Sequence, residues 1–377
     1  MNALAAEPPS IGPRPRGGVL SINSYKQGAS IIDGVENPIK VSANESPLGP
    51  SPRAKAAYLA AAESLCRYSD GTQMALREAI ASVHRLDVQR IVCGNGSDEI
   101  LSLLIRAYAG PGDDVVLSEH SFGMCRIHAT AQGARVVIAP EPNLQISTSA
   151  LLDAVTPATR IVILATPNNP PGTYLCASEL KRLHAGLPGN VLLIVDSAYA
   201  EFVTAEDYDP GTGLVGSAEN VIMTRTLSKL YGLAALRIGW AYGSHSIIDA
   251  LQRIRTPFNT NGPGLAAATA AMLDRDYAAR VRDHNSEWLK IMTRELTLIG
   301  LEPIPSVTNF LFVPFPDHAH GAEAAWNFLR LRGIIPRPVG AGGPQTHLRI
   351  TIGLPEENRA VLDALGDFMR STGDTPS

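Results

Sequence analysis

The feature that most constrains this chain is a recurring unit: a short β-branched apolar run, a polar or glycine-rich turn, then ten or so residues of helical pattern. RIVCGNG, DVVLSEHS, RIVILATPNNP, VLLIVDSAYAEF, NVIMTRTLSK and LRIGWAYG all begin such units. Strands covered on both faces read as continuous apolar runs, and intervening helices return each strand in the same direction. The pattern therefore predicts an α/β fold, a large domain on a mostly parallel sheet. At 377 residues the chain also exceeds the size at which one core usually stops growing, so a second, smaller domain is expected. After NTNGPG (260–265) the texture changes to one long helical pattern, LAAATAAMLDRDYAARVRDHNSEWLKIMTREL. Two strand-like segments follow, TNFLFVPF and HLRITIG, separated by the helical GAEAAWNFLRLRG, which reads as a smaller α+β domain. The expected division is a tail and arm over 1–43, a large domain over 44–265 and a small domain over 266–377. The opening MNALAAEPPSIGPRPRG is rich in proline and reads as a tail or an arm that orders against a partner.

Composition narrows the partners. A net charge of -4 with 18% charged residues offers no basic excess for nucleic acid or an anionic membrane surface. No run reaches the roughly 20 apolar residues that cross a bilayer, and no secretory segment is evident, so the cytoplasm is the expected location. Cys66, Cys93, Cys125 and Cys176 show no metal-ligand spacing and read as buried free thiols, and no metal is expected.

Ligands of open α/β sheets sit beyond the carboxyl ends of the strands. Asn168 and Asn169 follow VILAT there, Asp196 ends LLIVD, and Ser228 and Lys229 follow VIMTRT. Lys229 stands in RTLSKLYGLAALRIGW, a cation among small and apolar residues, so it either snorkels to solvent or is used chemically. Arg237 reads as a residue of an apolar strand, where a guanidinium needs an anion, and a phosphate would serve. Gly94–Gly96 leads from a strand into a helix with Ser97 as the expected N-cap, a place where backbone N–H groups face an anion. Asp98 and Glu99 in the first turn suit the helix dipole but repel a phosphate, and Arg237 would have to offset them. A carboxylate, a tyrosine (Tyr199), an asparagine pair, a lysine, an arginine and a helix N-terminus together suit a flat, anionic, pyridine-containing aldehyde.

On these residues the chain resembles the fold-type I pyridoxal-phosphate aminotransferases and, within them, the histidinol-phosphate aminotransferase family. The resemblance is carried in order by NESPLGPSP, RYSDG, GNGSDEIL, ATPNNPPGT, VDSAYAEF, RTLSKLYGLAALRIGW, TNFLF and RPVG…LRITIG, across nearly the whole chain. It implies pyridoxal 5′-phosphate as cofactor, joined covalently to Lys229, which then moves a proton between substrate Cα and cofactor C4′. Asp196 would keep the pyridine nitrogen protonated, Tyr199 and Asn169 would hydrogen-bond the 3′ oxygen, and Phe122 would stack on the ring. Ser97, Asp98, Thr226, Ser228 and Arg237 would hold the phosphate. Tyr68 would reach the cofactor phosphate of a partner subunit, which implies a homodimer. Tyr25, Asn44, Arg337 and Arg349 match positions near the substrate, with Arg349 receiving its anionic end. The chain departs from the family pattern at Ser46, Ser69, Pro171, Ser197 and Ala235, none of which removes a group that touches the chemistry.

The expected reaction is transamination between L-histidinol phosphate and 2-oxoglutarate, giving imidazole acetol phosphate and glutamate, a step of histidine biosynthesis. An aromatic amino-acid aminotransferase on the same scaffold is the alternative, followed by a pyridoxal-phosphate decarboxylase acting on an amino-acid phosphate. A nucleotide-binding dehydrogenase fails because Glu99 stands where a third glycine would meet the pyrophosphate. A catalytically dead DNA-binding regulator would need an added basic domain that this chain lacks.

Overall fold

The computed structural model describes residues 12–24, 29–316, 320–339 and 346–371. Its strands are β1 (Ile39–Lys40), β2 (Ile91–Gly94), β3 (Asp114–Ser118), β4 (Arg135–Ala139), β5 (Thr159–Ala165), β6 (Leu192–Asp196), β7 (Val221–Thr226), β8 (Gly239–Gly243), β9 (Phe310–Pro314), β10 (Ile334–Ile335), β11 (Arg337–Val339) and β12 (His347–Thr351). Seven of them form one sheet in the order β2-β8-β7-β6-β5-β3-β4. All run parallel except β8, which is antiparallel to both its neighbours. The mostly parallel α/β sheet is as expected from the apolar runs. The exception follows from the connection: Leu227–Ile238 contains a single short 3-10 turn, Ala234–Leu236, and no crossover helix to return the chain.

Each central strand is buried on both faces because its alternating side chains enter two different cores. Val116, Val162, Leu164, Leu193 and Val195 join one cluster; Leu117, Ile163, Leu192, Ile194 and Ile222 join the other. Period-2 alternation then carries Asp196 and Thr224, which are register partners, to the second face. That face is covered by helix Ser97–Tyr108, which presents Ile100, Leu101, Leu104 and Ile105, and by helix Gly123–Gln132.

A second sheet, β11-β12-β9, is antiparallel and lies over a third cluster that includes Trp288, Met292, Leu311, Leu348 and Val361. β1 pairs in parallel with β10, and Val41 belongs to this third cluster. The single helical pattern read after residue 265 is two helices, Gly262–Leu273 and Arg275–Leu298, broken at Asp274, whose backbone (φ -86°, ψ 69°) leaves the helical region. Ala267, Ala268, Ala271 and Met272 of the first pack in the large core, against helices Pro52–Ala61 and Met74–His84. The second helix places Val281 in the large core and Trp288, Met292 and Leu296 in the small one. The hydrophobic clusters thus do not divide at 43/44 and 265/266. Among the described residues no helix is long and apolar enough to cross a membrane. Cys93 and Cys125 are buried, but Cys66 is exposed and Cys176 half-exposed, against the expectation that all four thiols are buried.

Candidate active site

The carboxyl ends of β5, β6 and β7 bring the polar residues together. Asp196 is buried at the end of β6, where the Thr224 hydroxyl donates to its Oδ1 at 3.1 Å. Burial pushes its carboxyl up to about 6, opposed by the hydrogen bonds from Thr224 and the Ala198 backbone and by the Lys229 charge. Three residues beyond β7, Lys229 donates from Nζ to the Ala43 carbonyl at 3.2 Å and lies 5.8 Å from the centre of the Tyr199 ring. Desolvation lowers its ammonium from 10.5 to about 8, helped by the guanidiniums of Arg349 and Arg237 and opposed by Glu45 and Asp196.

Tyr199 is the meeting point of two asparagines. Its hydroxyl accepts from Asn44 Nδ2 at 2.8 Å and from Asn169 Nδ2 at 3.3 Å, and its ring meets Phe310 edge-on. Asn44 holds a left-handed backbone (φ 56°), a conformation asparagine tolerates better than most residues. It is anchored by Thr351, whose hydroxyl accepts from its N–H at 3.0 Å, and by Asn309, which donates to its carbonyl at 3.0 Å. Arg349 donates from Nη1 to Asn169 Oδ1 at 2.6 Å and from Nη2 to the Ser42 carbonyl at 2.7 Å. It therefore ties the small sheet to the loop after β5. Arg337 is its register partner on β11.

A second group surrounds the start of helix Ser97–Tyr108. The N-cap is Gly96 and not Ser97, and no side chain caps the helix. Gly96 has φ 82°, a conformation that favours glycine, and a Cβ there would lie 2.6 Å from Arg237 Nη2. Arg237 is correspondingly not in the strand. It precedes β8 by two residues in a left-handed conformation, is exposed, and donates from Nη1 to Ser228 Oγ at 3.2 Å and the Ala234 carbonyl at 3.0 Å. Thr226 is buried and accepts from the Ser228 N–H at 3.1 Å. Asp98 faces His128, with Oδ1 3.1 Å from Nε2. Glu99 folds back beside the helix start, its Oε2 accepting from the Asn95 N–H and from Asn259 Nδ2. Phe122 is half-buried at the start of helix Gly123–Gln132, against the core face that carries Asp196.

Tyr68 stands apart from these residues. It is 86% exposed and stacks on Phe258, ring centres 4.8 Å apart. Tyr25 lies outside the described residues. Sequence reasoning missed Thr224 beneath Asp196, Thr351 and Asn309 behind Asn44, and the Ala43 carbonyl opposite Lys229. Asn309 had a signal, since TNFLF was among the ordered motifs; a hydroxyl or carbonyl made relevant by register had none.

This fold, with a lysine and a carboxylate at adjacent strand ends and an open helix N-terminus beside an arginine, accords with the aminotransferases. The family model for aminotransferase class I and II matches residues 36–365, and the chain belongs to that family. It is 49% identical over 358 residues to the histidinol-phosphate aminotransferase of Paramagnetospirillum magneticum, covering 95% of this chain and 99% of that one. The histidinol-phosphate aminotransferase of Maricaulis maris is 48% identical with the same coverage. The crystal structure of histidinol-phosphate aminotransferase from Sinorhizobium meliloti, in complex with pyridoxal-5′-phosphate, superposes with a TM-score of 0.83 at 31% identity, covering 88% of this chain and 91% of that one.

Proposed function

We propose that the protein transfers the amino group of L-histidinol phosphate to 2-oxoglutarate, giving imidazole acetol phosphate and glutamate in cytoplasmic histidine biosynthesis, with pyridoxal 5′-phosphate as cofactor. The residues fit that cofactor. An uncapped helix start, the Arg237 guanidinium over Gly96 and the hydroxyls of Thr226 and Ser228 make a cradle for its phosphate. The Asp196 carboxyl, pushed up by burial, would be held ionised by a cationic ring nitrogen. When bound, the cofactor supplies an electron sink for the charge that develops at substrate Cα.

Each residue then has a distinct task. Ser97 and Asp98 offer backbone N–H groups to the phosphate alongside Thr226, Ser228 and Arg237. Asp196 holds the proton on the pyridine nitrogen, Tyr199 and Asn169 hydrogen-bond the 3′ oxygen, and Phe122 covers the ring. Lys229, whose ammonium burial lowers to about 8, would hold the cofactor's aldehyde end and move a proton at substrate Cα. Asn44 keeps Tyr199 in place and borders the substrate. Tyr68 acts in the site of a second copy of the chain.

The observation that carries the substrate assignment is the pairing of Arg337 with Arg349 across β11 and β12. Like charges directly opposite each other destabilise a sheet, so the pair makes sense as a receptor for an anion with more than one oxygen to offer. A phosphate dianion engages both; a single carboxylate uses only one fully. A lost hydrogen bond to a charged group is worth about 1.5–3 kcal/mol, so Arg337→Ala should lower kcat/KM for histidinol phosphate roughly tenfold to more than a hundredfold. Turnover of phenylalanine should change much less. A wild type that prefers phenylalanine, or an Arg337→Ala enzyme unimpaired on histidinol phosphate, would replace this reading with an aromatic aminotransferase.

A further inference from the structure

A charged pair outside the residues above is wired into them. His120 follows β3, Glu141 follows β4 and Asn168 follows β5, so the three sit at the carboxyl ends of adjacent parallel strands. His120 Nδ1 lies 2.9 Å from Glu141 Oε2, and the Glu141 side chain is completely enclosed. Asn168, also enclosed, donates from Nδ2 to both Glu141 oxygens, at 3.1 and 3.0 Å. Its Oδ1 accepts from the Asn169 N–H at 2.9 Å, its N–H donates to the Thr173 carbonyl at 2.7 Å, and its carbonyl accepts from Gly172 at 3.0 Å. Every polar group of Asn168 is thereby committed. Its neighbour Asn169 is in turn oriented between Tyr199 and Arg349.

We propose that His120, Glu141 and Asn168 are positioning residues that hold Asn169 at the cofactor, with the His120 imidazolium as the counter-charge that keeps the Glu141 carboxylate in place. An enclosed carboxylate needs a partner of opposite charge, and its hydrogen-bond partners here are His120 and the neutral Asn168. The carboxylate is also what orients the Asn168 amide, because only its Nδ2 end can donate to both oxygens. Turning that amide would break the bond from its Oδ1 to the Asn169 N–H and loosen the residue at the site.

Protonation of His120 is favoured by its hydrogen bond to Glu141 and by the charges of Glu141 and Glu119, against burial. Glu119 is close because its Oε2 accepts from the Glu141 N–H at 3.0 Å. Among the described residues His347 of the small sheet also feels His120, and burial and the His120 charge hold it below the ordinary imidazole value. A raised folded value means that the charged pair is complete below it and is lost as pH rises through it. The relay is therefore taut on the acid side of that value and slackens as pH rises through it.

The proposal rests on the reading that Asn169 faces the cofactor's 3′ oxygen, and the test separates the two. A donor to that oxygen draws electron density from it and lowers the basicity of the nitrogen that Lys229 contributes, so losing the donor raises the pH midpoint of the bound cofactor's visible band. The measurements are this midpoint, kcat/KM for histidinol phosphate from about pH 6 to 9, and thermal stability, on the holoenzymes of wild type, His120→Gln, His120→Lys, Glu141→Gln and Asn169→Ala. His120→Gln and Glu141→Gln should raise the midpoint by roughly half a unit or more. They should also lower kcat/KM roughly tenfold, less than the hundredfold that an ångström of misplacement can cost. His120→Lys, which keeps the charge, should restore the wild-type midpoint and hold kcat/KM to higher pH than wild type does. A fall in stability with an unmoved midpoint makes the pair structural only and overturns the proposal. A midpoint moved by Asn169→Ala but not by His120→Gln overturns the relay alone, whereas one unmoved by Asn169→Ala overturns the reading of Asn169 and the relay with it.

Discussion

At the residue scale the site turns on where water is excluded. Lys229 is a strong base in solution and a useful nucleophile only when neutral; desolvation is the largest effect on it, followed by the Arg349 charge. Uptake of pyridoxal phosphate into cofactor-free protein, trapped by borohydride and weighed by mass spectrometry, should rise with pH about a midpoint of about 8. Arg349→Ala should move that midpoint upward, and Lys229→Ala should abolish covalent capture. A midpoint near the ordinary lysine value would sink the argument. The sequence made Lys229 conspicuous as a cation in an apolar run, and Asp196 as a carboxylate ending one. It could not show that Asn44, 155 residues from Tyr199, donates to its hydroxyl. That contact exists only because the segment leaving β1 is held between Thr351 of β12 and Tyr199 beyond β6.

At the scale of elements, the proposed phosphate cradle depends on how closely β8 approaches helix Ser97–Tyr108. A Cβ at Gly239 would lie 2.2 Å from the Ser97 nitrogen and 2.5 Å from the Gly96 carbonyl carbon, both backbone atoms that cannot swing aside. Overpacking of this kind costs typically about 1–3 kcal/mol. Gly239→Ala should therefore lower the melting temperature by several degrees and weaken cofactor affinity, measured by dialysis against limiting pyridoxal phosphate. Gly110→Ala, where a Cβ meets nothing within 4 Å, should do neither. A Gly239→Ala protein with unchanged melting and affinity would mean that the helix start has room to move. The strands themselves were legible from their β-branched runs because both faces are buried. The direction of β8 and the break at Asp274 were not, since periodicity reports which residues are covered and says nothing of how a connection turns.

At the scale of the whole molecule, the proposed second copy needs apolar surface to cover. Tyr58, Leu59, Leu65, Tyr68 and Phe258 are exposed apolar or aromatic side chains, and beside Tyr58 lies a hollow of about 510 Å³ walled by Pro50, Ala54, Leu233 and Leu236. If Tyr68 completes the partner's phosphate site, mixing Tyr68→Phe with Lys229→Ala protomers puts both lesions in one site and leaves the other intact. The mixture should then exceed the activity of either homodimer, as measured after unfolding and refolding together. Strictly averaged activity would place Tyr68 in its own subunit's site or in none. By itself, the sequence determined the α/β class, the mostly parallel sheet and the strand-end residues, because burial on two faces and the turns that follow are local properties written in consecutive residues. Tertiary structure alone decided that Gly96 and not Ser97 caps the helix, that Arg237 stands outside the strand, and that Arg337 faces Arg349. Each of these depends on the approach of segments far apart in the chain, and so on distances that no local pattern of residues encodes.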